Sequence, residues 1–73
     1  MKKLELNDES LEYLRKAELV LKNPENSRVM ISKKTGIPYA TVRKLVSEPE
    51  RLEHTRWSVI MLLAQLFDEL ANQ

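Results

Sequence analysis

Apolar residues recur along this chain at three- and four-residue spacing, in segments separated by proline, glycine and capping residues. Leu11, Leu14, Ala17 and Leu21 form one such stripe, which predicts an amphipathic helix. Asn7 precedes it as an N-cap, with Asp8 and Glu9 in the first turn, where the helix dipole favours negative charge. Lys22-Asn23-Pro24 ends it, because the residue before a proline leaves the helical region. Leu4 and Leu6 are expected to tuck against the bundle. A second helix is predicted from the cap Ser27 to about Lys34, with Val29, Ile31 or Ser32, and Thr35 available to face inward. Gly36 stops it by accepting a left-handed backbone, and Ile37 plugs the turn. Pro38 suits the first turn of a third helix, where its missing N–H costs nothing. That helix points Val42 and Leu45 inward and ends near Ser47, ahead of Pro49.

A loop rich in Glu and Arg then leads to Thr55, the expected cap of a last helix over about 55–72. Its residues Val59, Ile60, Met61, Leu62, Leu63, Ala64, Leu66, Phe67 and Leu70 cover more than one face. A helix that is apolar on most sides is either fully buried or pairs outside its own domain. In 73 residues few elements exist to surround it, so the pattern predicts a homodimer, with Trp57, Ile60, Met61 and Leu66 at the interface. The fold expected is all-α: a single domain over 1–73, a small bundle of four or five helices.

Composition supports that class. One glycine, three prolines and many Leu, Glu, Lys and Arg residues favour helix over strand. No cysteine exists to form a disulfide or a thiolate metal site. A domain this small buries only about 60% of its unfolded surface, so its stability rests on packed apolar residues, a partner, or both. Met1-Lys2-Lys3 runs into Leu4-Glu5-Leu6 without an apolar signal region, and Val59 to Leu63 is too short to span a bilayer. The expectation is a soluble, cytoplasmic protein with no membrane partner.

Overall charge is nearly balanced, but its distribution is not. Residues 1–26 carry five basic and six acidic side chains, and residues 48–73 carry two basic and five acidic. Between them, residues 27–47 carry Arg28, Lys33, Lys34, Arg43 and Lys44 and no acid, a net charge of +5. A wholly basic window between acidic flanks draws attention to polyanions when it coincides with a structural motif.

It does coincide. A short helix, a turn on Gly36-Ile37 and a helix opening at Pro38 form the two-helix corner that presents a recognition helix to the DNA major groove. The run Ser27-Arg28-Val29-Met30-Ile31-Ser32-Lys33-Lys34-Thr35-Gly36-Ile37-Pro38-Tyr39-Ala40-Thr41-Val42-Arg43-Lys44-Leu45 resembles the lambda-repressor-like, Cro-like helix-turn-helix family of phage and bacterial regulators. The motif spans about residues 27–47, and Ile60, Leu63, Ala64 and Phe67 match the family's apolar last helix more loosely.

The resemblance implies a DNA-binding transcriptional regulator of repressor type, acting on a double-stranded operator. Arg28 would meet a phosphate at the N-terminus of its helix, and Tyr39 and Ala40 would point at base edges. Residues 39, 40, 43, 44 and 47 share one helical stripe, which assigns Tyr39, Ala40, Arg43, Lys44 and Ser47 to the DNA face. Arg and Lys can donate to guanine, and Ala40 can meet a thymine methyl. Thr41 is expected to make a local packing or backbone contact. Two features favour a different partner. Met30 and Val46 stand where the family is usually polar, and Ser47-Glu48-Pro49-Glu50 adds acid beside the expected DNA backbone. The alternative is an antirepressor that grips a phage repressor protein through Met30, Tyr39, Arg43 and Val46 in place of DNA.

Catalysis finds no support. His54 is the only histidine, and Glu48, Glu50 and Glu53 near it lack the spacing of a metal loop. Gly36 stands alone, so no glycine-rich phosphate loop exists. No enzyme, metal or cofactor is expected.

Overall fold

A computed structural model describes residues 8–72. The expected cap at Asn7 and the docking of Leu4 and Leu6 fall outside the described residues. Four α-helices follow one another, α1 (Asp8–Lys22), α2 (Arg28–Thr35), α3 (Tyr39–Ser47) and α4 (Trp57–Ala71), with a 3-10 helix at Pro49–His54 between the last two. Among the described residues there is no strand. The bundle is therefore all-α, with five helical pieces.

α4 is the central element. It packs most extensively along α1 and also against α2, with Ile60, Leu63, Ala64 and Leu66 buried. Around them close Ala17, Val20 and Leu21 of α1, Ile31 and Ile37 of the α2 region, Val42 and Leu45 of α3, and Leu52 of the 3-10 helix. Among the described residues no polar or charged side chain is buried, so this core carries no desolvated polar group in need of a partner. The C-terminal ends of α1 and α4 lie together, since Leu19, Val20 and Lys22 border the same groove as Phe67, Leu70 and Ala71. Lys16 of α1 donates to Asp68 of α4 at 2.9 Å. That hydrogen bond is the first cause of a Lys16 pKa raised above its ordinary value.

Four expectations need correcting. Ile60 and Leu66, assigned to a dimer interface, are 1% and 3% exposed. They belong to the core because α1 and α2 pack along α4 and its inward side joins the one cluster that also holds Val42, Leu45 and Leu52. Leu11 is half exposed, and Val20 takes its place in the buried stripe of α1. Val29 faces solvent at 51% exposure, because α2 has only eight residues and turns a single side inward, the side carrying Ile31. Thr55 does not cap α4. Its hydroxyl donates back to the Arg51 carbonyl at 2.7 Å, and Arg56 occupies the cap position without a side-chain hydrogen bond.

Candidate nucleic-acid interface

The α2–α3 corner is built by local hydrogen bonds. Ser27 is extended (φ −70°, ψ 154°), and its Oγ accepts from the Met30 N–H at 3.0 Å. It thereby satisfies one of the orphan donors of the first turn. Gly36 has φ +80°, the left-handed conformation that other L-residues rarely adopt, and its N–H donates to the Ser32 carbonyl at 2.9 Å. Two hydroxyls then lock the turn. Ser32 Oγ donates to the Ile37 carbonyl at 2.7 Å, while Thr35 Oγ1 donates to the Ile31 carbonyl at 2.6 Å and accepts from the Ile37 N–H at 3.2 Å. With Ile37 buried beneath it, the turn holds both helices in one mutual orientation. Pro38 is the N-cap of α3, one position ahead of its expected place, and its carbonyl accepts from the N–H groups of Thr41 and Val42.

On α3 the buried residues are Val42 and Leu45. Tyr39, Ala40, Arg43, Lys44 and Ser47 are all exposed. Ala40, Arg43, Lys44 and Ser47, joined by Glu48, line one shallow recess of about 260 Å³. Four of the six residues that the sequence assigned to the DNA face thus share one recess, while Tyr39 and Arg28 do not line it. Thr41 is half-buried. Arg28 is exposed at the first position of α2. Neither α2 nor α3 has an acidic residue in its first turn, so the positive ends of both helix dipoles are uncompensated there.

Among the described residues three cations are ion-paired, and Arg15 and Arg56, outside the basic window, are exposed without an ion pair. Lys16 pairs with Asp68, Lys22 with Glu18, and Arg51 with Glu48. Arg28, Lys33, Lys34, Arg43 and Lys44 are exposed and make no ion pair with any described residue. All five positive charges of the basic window therefore stand open to solvent. Arg51 Nε donates to Glu48 Oε1 at 2.5 Å, and this contact is the first cause of an Arg51 pKa raised above its ordinary value. Sequence reading placed the Glu48 carboxylate beside the face but missed its partner, because Arg51 reaches it only once the intervening residues form a 3-10 turn.

The alternative, protein-binding set is not assembled as expected. Met30 and Val46 are half-buried and packed against the core, so they offer no outward apolar pair. Tyr39, 44% exposed, and Val29 are the large apolar side chains open to solvent on this corner. Of the expected dimer contacts, Trp57 and Met61 remain, 40% and 44% exposed and one helical turn apart on α4. His54 is exposed, and the described residues contain no group of three or more His, Asp or Glu side chains able to hold a metal ion. No described helix is long and apolar enough to cross a membrane. Comparison of the chain with protein-family models, with curated proteins and with solved structures finds no match.

Proposed function

We propose that this protein is a double-stranded-DNA-binding regulator that lays α3 in the major groove. The observation that carries this reading is the set of five unpaired, exposed cations on α2 and α3, two helices whose first turns hold no acid. Phosphates supply most of the affinity of such a surface, and base edges supply selectivity. Arg28 meets a phosphate beside the N-terminus of α2. Arg43 and Lys44 donate to guanine or to phosphate, Ala40 packs on a thymine methyl, and Tyr39 and Ser47 make the flanking contacts. A single α3 reads one half-site. A second copy joined through Trp57 and Met61 presents another α3, about 34 Å away along a palindromic operator.

The test is fluorescence anisotropy with random-sequence duplex at 50 and 200 mM salt. Were about four of the five cations to neutralise phosphates, affinity would fall by about two orders of magnitude across that range. Absence of binding at 50 mM sinks the proposal. One observation favours a second reading. Val29 and Tyr39 are exposed beside Arg28 and Arg43, a mixed apolar and basic patch that also suits the DNA-binding domain of a repressor protein. In that case Val29→Glu abolishes capture of the repressor, whereas a DNA-only surface loses affinity merely in proportion to the added charge.

A further inference from the structure

Glu48 is the one acid on the recess that Ala40, Arg43, Lys44 and Ser47 share. It lies four residues after Lys44, and its backbone N–H donates to the Lys44 carbonyl at 2.8 Å. Lys44 and Glu48 also border the neighbouring groove with Arg51. Oppositely charged side chains four residues apart on one helical side are natural partners. Here, however, Lys44 is unpaired and Arg51 holds the carboxylate. The 3-10 turn brings Arg51 back over Glu48, with the Arg51 N–H on the Glu48 carbonyl at 3.0 Å and its guanidinium Nε on Oε1.

We infer that Arg51 is a positioning residue of the DNA face, which holds Glu48 off Lys44 and cancels a negative charge that otherwise faces the phosphates. The inference rests on the DNA-binding reading and deepens it, since it makes the Arg51–Glu48 pair a control on how many cations that face presents. A released Glu48 acts twice: it pairs with Lys44, removing one phosphate contact, and it repels the DNA backbone. Removing one phosphate contact lowers the salt slope by about 0.9.

The experiment is a double-mutant cycle read by duplex anisotropy over a salt series. Arg51→Ala is expected to weaken binding roughly three- to ten-fold, with a shallower salt slope. Glu48→Gln binds at least as tightly as wild type. Adding Arg51→Ala to Glu48→Gln then has no further effect, because no charge remains to hold. If Arg51→Ala costs the same in both backgrounds, Arg51 touches phosphate directly and the inference is overturned. It is also overturned if Arg51→Ala changes nothing in the wild-type background. If wild type does not bind duplex at all, the DNA reading fails on its own, and NMR of the Lys44 ammonium decides the positioning step. A Lys44–Glu48 contact that forms only in Arg51→Ala supports it, and no such contact overturns it.

Discussion

Replacing Gly36 by alanine isolates the backbone conformation on which the α2–α3 corner turns. At φ +80° a Cβ built on Gly36 meets no atom within 4 Å, so the substitution introduces no clash and its cost is conformational. A left-handed conformation costs an L-residue about 1–2 kcal/mol. Alanine also stiffens the unfolded chain, which offsets about 0.4–1 kcal/mol. The remainder is a destabilisation of about 1 kcal/mol, which lowers Tm by about 4–8 °C in a domain of this size. Asparagine tolerates the left-handed region better, so Gly36→Asn is expected to lie between wild type and Gly36→Ala. The assay is urea unfolding followed by far-ultraviolet circular dichroism, with an unchanged m-value showing that only stability has moved. Gly36→Ala as stable as wild type, or more stable than Gly36→Asn, would refute the assignment of a strained left-handed turn.

Three further outcomes follow from the packing. Leu63 is fully buried and Leu62 is 37% exposed, so Leu63→Ala is expected to cost about 2–5 kcal/mol and Leu62→Ala about 0.5 kcal/mol or less, both by urea unfolding. Lys16 has a raised pKa because Asp68 accepts its hydrogen bond. Its contribution to stability is therefore fully present below pH 10.5 and lost as pH rises through the higher folded value. The stability gap between wild type and Lys16→Met should stay constant from about pH 7 to 9 and close above pH 10.5. Trp57→Glu or Met61→Glu should reduce the sedimentation mass of the protein without unfolding it, since both side chains are exposed. A wild type that sediments as a monomer at high concentration removes the pairing through α4.

Local chemistry made the α2–α3 corner legible in advance. Ser27, Gly36 and Pro38 act through their own backbone and a few neighbouring atoms, and the structure places each at or within one residue of its expected position. Pro24 likewise marks the end of α1 at Lys22. What the sequence left open depends on tertiary surroundings. Val29 looks like a core residue by composition, but eight residues define a helix face poorly, and Ile31 fills the inward position alone. Ile60 and Leu66 suggested a partner because α4 carries apolar residues on several sides. The Pro49–His54 segment, read as a loop, supplies Leu52 to the core. Its only sequence signal is a lone leucine between Arg51 and Glu53. Met30 and Val46 are half-buried for the same kind of reason, since the tertiary fold brings the core up to their edges. That Ala40, Arg43, Lys44 and Ser47 share one side of α3 could be read from helical spacing alone, whereas the Arg51–Glu48 pair beside them needed the turn.

Where DNA touches the molecule decides most directly whether α3 is a recognition helix. Titration of isotope-labelled protein with a short duplex at low salt, followed by backbone NMR, reads that surface residue by residue. The account predicts shifts at Arg28, Tyr39, Ala40, Arg43, Lys44 and Ser47, and none in the groove of Leu19, Phe67 and Leu70 at the joined ends of α1 and α4. Shifts confined to that groove, or no shifts with any duplex, would contradict it.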